Sequence, residues 1–500
     1  MNLVVAPILI PFLTAVVVLL VGGRTRLGRG LTVASGVGQV LGALALLVRT
    51  TSSGIQVVAV GGWPAPHGIV LVSDVLAALM TVLASATMLA GTVYGVLEMP
   101  ARLSHPLRLP LMQFLAVGIQ LSFLTGDLFN LFVAFEILLV SSYALLTLEA
   151  DDWDVKQAFP YLAMNAVGST LFFCAAGLTY GLLGTLNFAD MAMRSTALVG
   201  DPRLMALVLL FMAVFGLKAG LFPLYYWLPH SYPTLATPVA GVFAGLLTKV
   251  GIYVLIRMCA TVLPHELTGL HALIAWASGA TMLLGVLGAI SRNFIRGILS
   301  FHIVSQVAFM TLALGFFTPL SVTAAIFYIA HHILVKASLF LIGGVAALLN
   351  RTDDLARMGN LWKAVPWLGV LFLAQSMSLA GLPPLSGFWG KYLIVVEGVA
   401  RREYLLVAAS LVASVLTMFS MLKIWLAAFW NEDPTVSVRT EDPRWRPLAW
   451  VCAGMAAISL TLGLGAEPLL RLAKQASSMA MDREGYARAV LSTGGKEIRP

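Results

Sequence analysis

Apolar residues recur along the whole chain in runs long enough to cross a lipid bilayer. A transmembrane helix needs about 20 predominantly apolar residues to span about 30 Å of hydrocarbon. Two of the runs, 203–226 and 364–399, are interrupted by Gly and Pro. The pattern predicts an all-α polytopic membrane protein of about 14 transmembrane helices, near residues 3–22, 30–49, 70–97, 109–125, 128–149, 158–184, 203–226, 236–260, 268–290, 298–316, 319–348, 364–399, 405–430 and 447–465.

Composition supports this interpretation. Of the 500 residues, 59% are hydrophobic and 11% are charged, whereas soluble domains carry about 25% charged residues. The first run has no basic segment before it and no small-residue cleavage pattern, so we interpret it as a retained helix and not a signal peptide. Cys174, Cys259 and Cys452 form no metal or disulfide pattern.

The net charge of +8 is explained by membrane topology, and we expect no nucleic-acid partner. By the positive-inside rule, the loops richer in Lys and Arg face the cytoplasm, which places the N-terminus outside. An even number of spans places the C-terminus outside too, although the basic tail after Arg471 argues weakly against this. The basic loops contain Arg24, Arg26, Arg29, Arg102, Arg108, Lys156, Arg292, Arg296, Arg351, Arg357, Lys363, Arg439, Arg444 and Arg446.

Three charged residues lie deep inside the predicted spans. Insertion of a charged lysine at the centre of a bilayer costs roughly 2.5–3.5 kcal/mol of free energy, so such residues mark ion pathways by default. Lys218 and Lys249 are two such lysines. Glu136 must be either neutral or paired with a cation, for which Lys218 and Lys249 are the candidates. The alternative is a fixed ion pair that only orders the bundle. Asp74 and Asp127 lie at span boundaries, where we expect helix caps.

A short internal repeat lies in the two interrupted runs. Residues 219–224 and 380–385 match at five of six positions, and a lysine lies beside each break, Lys218 in one case and Lys391 in the other. Non-helical backbone at membrane depth is tolerated only inside protein or along a watery cavity. Paired interrupted helices in two halves of a chain indicate a transport site in an inverted-repeat transporter.

Polar residues in the run 319–348 follow the helical period. Tyr328, His332 and Lys336 are spaced i, i+4, i+8 and therefore share one helix face, while His331 points elsewhere. Histidine exchanges protons near neutral pH. We interpret His332 as a proton relay, and His331 equally well as a relay or a core residue.

The remaining polar residues of the spans carry weaker signals. His302 and Gln306 are four residues apart and share a face of the run 298–316. His302 is interpreted equally well as a relay or a core residue. Lys423 and Glu397 are expected near the membrane interfaces, where they extend towards water or contact a loop.

These motifs resemble the antiporter-like subunits shared by respiratory complex I and the Mrp-type multisubunit cation/proton antiporters. The resemblance covers roughly residues 70–430, is most similar to the D-type subunits, and is most specific at 127–146, 215–253, 298–310, 325–344 and 378–391. It implies fourteen helices with two inverted five-helix repeats, each containing a discontinuous helix. The implied divisions are 1–108 (N-terminal helices), 109–260 and 268–430 (the repeats), and 431–500 (last helix and tail).

The resemblance also implies a chain of protonatable residues across the middle of the membrane. Glu136 and Lys218 would be the ion pair of the first half-channel, and Lys249 the central bridge. The second half would contain His332, Lys336 and the terminal Lys391. The match at His302 is looser, because some relatives place a histidine where this chain has Gln306.

The expected function is that of a proton-translocating subunit of a Na⁺/H⁺ antiporter in a bacterial cell membrane. Its partners would be A-, B-, C-, E-, F- and G-type subunits, with H⁺ moved here and the cation handled by a partner. We expect no cofactor and no metal. The first alternative is a proton-pumping subunit of a complex I-like or hydrogenase complex. A lipid or oligosaccharide flippase would need a large polar cavity lined by arginines, and many deep ionisable residues disfavour a purely structural scaffold.

Overall fold

The computed structural model describes residues 2–100 and 103–492, so Arg102 and the tail residues 493–500 lie outside the described residues. Helices make up nearly all of this part of the chain. They are α1 (Ala6–Val21), α2 (Arg26–Ser53), α3 (Val75–Glu98), α4 (Arg108–Leu124), α5 (Leu128–Thr147), α6 (Asp152–Leu183), α7 (Phe188–Thr196), α8 (Pro202–Ala219), α9 (Trp227–Ser231), α10 (Thr237–Arg257), α11 (Thr268–Ile290), α12 (Ile295–Phe316), α13 (Pro319–Asn350), α14 (Leu361–Ala364), α15 (Pro366–Ala380), α16 (Ser386–Ala400), α17 (Tyr404–Ile424), α18 (Trp445–Leu464), α19 (Ala466–Met481) and α20 (Arg483–Leu491).

The prediction of an all-α membrane protein is confirmed. In the described residues, 11 helices are long and apolar enough to cross a membrane, and three shorter apolar helices are α1, α4 and α15. The π-helical turns Met258–Val262 and Trp425–Trp430 extend α10 and α17. The total of fourteen spans stays a prediction.

One predicted span begins differently. Residues 70–73 form strand β2 (Val70–Ser73), which pairs antiparallel with β1 (Gln56–Ala59), and α3 begins only at Val75. The β-branched residues of 70–72 favour this extended backbone. The predicted caps are confirmed: Asp74 accepts a hydrogen bond from Ala77 N, and Asp127 accepts one from Asn130 N.

Asp74 has a second partner that sequence reasoning did not identify. The guanidinium of Arg257, at the end of α10, donates to Asp74 at 2.6 and 2.9 Å, and both side chains are buried. The rings of Tyr253 and Tyr486 each lie 5.4 Å from the guanidinium carbon. Tyr486 belongs to α20, so the last described helix covers this ion pair.

Helices α10, α12 and α13 form the centre of the bundle. Every residue in the most apolar windows of α10 and α12 is buried, as are 89% of those in α13, against 33% in α2 and α6. Bilayer-facing helices expose apolar side chains, whereas central helices pack on all sides against protein. Lys249 of α10 and Lys336 of α13 are therefore enclosed by protein.

The two ends of the bundle differ in charge. At one end, Val4 ahead of α1 packs with Leu71 and Leu124, and Gln475 of α19 donates to the carbonyl of Thr51. We call the opposite end the basic end, because Arg292, Arg296, Arg351, Arg439 and Arg444 line one cavity there. The start of α1 and helix α19 thus lie at the same end, in agreement with an even number of spans.

The internal repeat forms the same turn twice. Gly220 (φ 77°) ends α8 and Gly381 (φ 94°) ends α15 in the left-handed region that glycine favours. In both turns the amide following the glycine bonds the carbonyl five residues earlier, at 2.9 Å from Leu221 to Gly216 and 3.1 Å from Leu382 to Met377.

The chain continues differently after the two breaks. After the first, only the five-residue α9 and the 3₁₀ turn Tyr232–Thr234 precede α10. After the second, α16 continues for 15 residues. The six-residue repeat therefore predicted both turns, while the longer surroundings of each turn determine the length of the next helix.

Candidate functional site

Lys218 lies in the last turn of α8 and points towards α6. Its Nζ donates to the carbonyl and to the side-chain Oδ1 of Asn165, at 3.4 and 3.3 Å, and to Ser169 Oγ at 3.5 Å. The same Nζ lies 5.7 Å from the centre of the Phe135 ring. The ammonium is thus held by neutral oxygens and an aromatic face.

The predicted direct ion pair between Glu136 and Lys218 is not formed in the structure. Within residues 2–100 and 103–492, no ion pair includes either residue. Glu136 Oε1 is buried without a hydrogen-bond partner, although the two charges interact. The ammonium is bonded instead to Asn165, which sequence reasoning missed; the only available signal was an Asn inside the apolar run 158–184.

Lys249 is fully buried on α10 and faces α13. Its Nζ donates to the carbonyl of Ala244 on its own helix. Gly245, one turn earlier on the same face, packs so closely on α13 that a Cβ there would lie 3.3 Å from Ala337. Lys249 is therefore directed at the helix that carries His332.

The opposite face of α10 packs against α8. Gly251 is two residues beyond Lys249, a rotation of about 200°, and a Cβ on Gly251 would lie 3.0 Å from the backbone carbon of Lys218. The backbone of α10 thus separates Lys218 from Lys249. Thr248, whose buried hydroxyl has no partner among the described residues, lies between these two faces.

His332 and Lys336 are fully buried on α13, one turn apart. Neither His332 ring nitrogen nor Lys336 Nζ has a hydrogen-bond partner among the described residues. The charge of Lys249 acts on both, so the structure brings these three predicted residues together. Buried polar groups are normally hydrogen-bonded, and such unpartnered groups indicate a functional site or bound water.

His331 points away from His332, as its position on the helix predicts. Its Nδ1 lies 2.8 Å from Ser386 Oγ, which in turn lies 3.0 Å from Ser378 Oγ. Both serines flank the second helix break. His331 therefore contacts the broken helix, while His332 lies within range of the charges of Lys249 and Lys336.

His302 and Gln306 both bond α17. His302 Nε2 lies 2.6 Å from Ser420 Oγ, and Gln306 Nε2 donates to Thr417 Oγ1 at 3.2 Å. Gln306 also accepts a hydrogen bond from the Tyr328 hydroxyl. The shared face of His302 and Gln306 is thus a polar contact between α12, α13 and α17.

Lys391 lies on α16 and reaches back to the end of α15. Its Nζ donates to the carbonyls of Leu379 and Ala380, both at 3.0 Å, and to Ser414 Oγ at 3.1 Å. It also lies 4.3 Å from the centre of the Phe309 ring. Carbonyls at a helix C-terminus carry partial negative charge and stabilise a cation.

Lys423 makes the loop contact that was predicted for it. Its Nζ donates to the carbonyls of Ile290 and Arg292 and to Asn293 Oδ1, between 2.7 and 3.1 Å. Within the described ranges, no group of three or more His, Cys, Asp or Glu side chains could hold a metal ion. The site is thus a set of lysines and histidines with one carboxylate, Glu136.

A large polar cavity lies at the basic end, away from this set. Its volume is about 810 Å³, and it is lined by arginines and carboxylates of several loops. A flippase would need such a cavity at membrane depth. Here the arginines lie at the end of the bundle, around the ends of α10 and α13.

Residues 125–417 match the family model described as the NADH:quinone oxidoreductase/Mrp antiporter transmembrane region. The chain belongs to this family. It is 38% identical to the D subunit of the Na(+)/H(+) antiporter of Alkalihalophilus pseudofirmus, over 98% of this chain and 99% of that relative. The resemblance found in the motifs is therefore confirmed.

Solved structures of the family have the same fold. A chain in the Mrp complex from Dietzia sp. aligns with TM-score 0.91 and 31% identity, over 98% of this chain and 100% of that chain. A chain of respiratory complex I from Thermus thermophilus aligns with TM-score 0.83 and 21% identity, over 96% of this chain and 100% of that one. The second likeness shows the fold alone.

Proposed function

We propose that the chain is the proton-translocating subunit of a multisubunit Na⁺/H⁺ antiporter in a bacterial cell membrane. Two inverted five-helix repeats, 109–260 and 268–430, would lie among fourteen transmembrane helices. The two matching helix breaks and the eleven long plus three short apolar helices support this arrangement. The single observation that carries the proposal is the buried row of Lys249, His332 and Lys336 at the centre of the bundle, none of which forms an ion pair within the described part of the chain.

In the first repeat, Lys218 alternates between two acceptors. Asn165 and Ser169 hold its ammonium here, and the Glu136 carboxylate is near enough to attract it. Separating two opposite unit charges from about 4 Å to 8 Å at an effective dielectric constant of 20 costs roughly 2 kcal/mol. The Glu136 carboxylate therefore favours the protonated lysine when it is close, and less so when the lysine is bonded to Asn165.

The route from Lys218 to Lys249 passes around α10. The unpartnered hydroxyl of Thr248 lies between the two faces of that helix, and we assign it as a relay together with bound water. The hydroxyl accepts a proton on one side and donates its own on the other. The transfer therefore needs no rotation of the helix.

In the second repeat, neighbouring cations oppose each other. Two unit positive charges about 6 Å apart at an effective dielectric of 20 repel by roughly 3 kcal/mol. Protonation of Lys249 therefore disfavours protonation of His332 and Lys336. A proton that arrives at one group thus drives the proton on the neighbouring group towards Lys391. His302 borders this row through its charge interactions with Lys336 and Lys391.

Partner subunits of the A, B, C, E, F and G types would complete the complex, with Na⁺ carried by one of them. A proton-pumping subunit of a redox complex would have the same fold, as the alignment with complex I shows. Full-length identity of 38% to a D-type antiporter subunit favours the antiporter.

The test uses the assembled complex in inside-out membrane vesicles, with Na⁺-dependent collapse of a pH gradient as the readout. Glu136→Ala and Lys218→Ala should abolish exchange while the partner subunits still co-purify. Lys363→Ala is the matched control, since Lys363 is an exposed lysine paired with Glu432. Normal Na⁺/H⁺ exchange by either variant would contradict the proposal.

A further inference from the structure

The cavity at the basic end has an acidic residue beside the first turn of the central helix α10. Glu98, the last residue of α3, lines this cavity together with Thr237, the first residue of α10. Glu98 Oε2 is buried and has no hydrogen-bond partner among the described residues, although the Thr237 hydroxyl interacts with the carboxylate group. Glu98 is therefore a carboxylate placed between an aqueous cavity and the packed centre of the bundle.

Three arginines surround Glu98, and each is engaged elsewhere. Arg108 of α4 pairs with Glu149, and Arg296 of α12 lies 3.8 Å from Asp353. Arg444 pairs with Asp442 and donates only to the backbone carbonyl of Glu98, at 3.4 Å. Their charges, with those of Glu149 and the Tyr94 hydroxyl, act on the Glu98 carboxylate, but none of these groups forms an ion pair with it. The Oε2 atom is thus left free to take a proton.

A continuous packing seam leads from Glu98 towards Lys249. Helix α3 packs along α10 in the opposite direction: a Cβ on Gly95 would lie 3.3 Å from Pro238, and one on Gly245 would lie 3.0 Å from Thr87. Residues 98, 94, 91 and 87 share one face of α3. The seam from Glu98 to Thr87 is about 17 Å long, and Lys249 is one turn beyond Gly245.

Two hydroxyl groups lie along this face. The Tyr94 hydroxyl donates to the carbonyl of Leu341 on α13 at 3.3 Å, so that it joins α3 to the third helix of the seam. The methyl group of Thr87 contacts Gly245, one turn from Lys249, and the Thr87 hydroxyl donates to the carbonyl of Leu83 on its own helix at 2.8 Å. Each of the two hydroxyls has used its donor and can still accept a hydrogen bond from bound water.

We propose that Glu98 is the protonatable group through which the central lysine exchanges protons with solvent at the basic end. Its carboxylate takes a proton from hydronium in the cavity, releasing water, and gives that proton to the next water along the α3–α10 seam. The inference rests on the proposed function, because it supplies an access group for the same row of buried residues. Helix α3, which carries no strong sequence signal for proton transfer, thereby becomes part of the pathway.

The experiment compares Glu98→Gln, Glu98→Asp and Asp154→Asn in the complete complex, with Na⁺-dependent proton movement in inside-out vesicles as the readout. Glu98→Gln should lower the rate by roughly tenfold or more, because it removes an acid–base group. Glu98→Asp, which keeps the ionisable group, should recover a substantial part of the rate. Asp154 lines the same cavity and serves as the control, with an unchanged rate expected.

A purely structural role predicts the reverse order, because Gln keeps the shape of Glu and Asp does not. A wild-type rate in Glu98→Gln, or a higher rate in Glu98→Gln than in Glu98→Asp, would overturn the inference. If Lys218→Ala is inactive while Glu98→Gln is active, only this inference fails. If Lys218→Ala retains normal exchange, the proposed function itself fails.

Discussion

The two helix breaks share one turn and stabilise their lysines in different ways. At the first, the carbonyl of Leu217 accepts from the Gly220 amide and from the Trp227 indole, both at 3.1 Å, and Lys218 points away to Asn165. At the second, Lys391 itself bonds the free carbonyls of the broken helix. The first lysine is held mostly by side-chain oxygens, which can move, and the second mostly by backbone carbonyls, which are fixed. The same local motif therefore supports an adjustable cation site in one repeat and a fixed one in the other.

Removing the lysine of the fixed site should have the largest effect. Lys391→Ala removes the cation from the carbonyls of α15, where hydrogen bonds to charged groups are each worth about 1.5–3 kcal/mol. We expect loss of Na⁺-dependent proton movement in vesicles, with complex assembly retained. Lys391→Arg keeps the charge and should retain part of the activity; full activity in Lys391→Ala would show that the second break is not on the pathway.

A carboxylate placed in the adjustable site should convert it into a fixed one. Asn165→Asp keeps the shape of the side chain and adds a negative charge to the atom that now accepts from Lys218, an attraction of about 4 kcal/mol at 4 Å and an effective dielectric of 20. We expect the trapped lysine to slow exchange by roughly tenfold or more, since about 1.4 kcal/mol is tenfold in rate.

The matched control for this variant is Ser169→Asp, because Ser169 contacts Lys218 at a longer distance, 3.5 Å. A smaller loss is expected there. If Asn165→Asp exchanges at the wild-type rate, Lys218 does not alternate between Asn165 and Glu136.

The smallest effect should result from removing one of the two donors to the Leu217 carbonyl at the first break. Trp227→Phe removes the indole N–H, so that this carbonyl keeps the Gly220 amide and can also accept from Lys218. A neutral hydrogen bond is worth about 0.5–1.5 kcal/mol, and we expect a change in exchange rate of about threefold. Trp389→Phe is the control at the second break, where the indole donates to the carbonyl of Gly463 of α18 at 3.0 Å. An equal effect of both variants would contradict the difference proposed between the two lysine sites.

The sequence predicted those features that depend on one helix at a time. The glycine–proline breaks, the caps at Asp74 and Asp127, and the separate directions of His331 and His332 result from local period and turn chemistry. The β-hairpin strand at 70–73 was mistaken for the start of a span, because a short β-branched apolar run has no helix-specific period.

Contacts between helices were beyond sequence reasoning. Asn165 accepts from a lysine 53 residues away, and Arg257 bonds an aspartate 183 residues away. Such partners are set by how helices pack, which the period of one helix does not show. For the same reason the sequence shows Glu98 only as a carboxylate at a helix end. Its position beside the central helix α10 is visible only in the folded chain.

The buried ion pair of Asp74 and Arg257 also makes the stability of the bundle depend on the part of the chain that is synthesised last. Asp74 is made early, Arg257 midway, and Tyr486 almost last, yet the aromatic ring covers the pair in the finished protein. A nascent chain that stops before α20 leaves this ion pair uncovered at the end of the bundle. Truncations and fusions at the C-terminus should therefore retain α20, since its loss removes the ring that covers this ion pair.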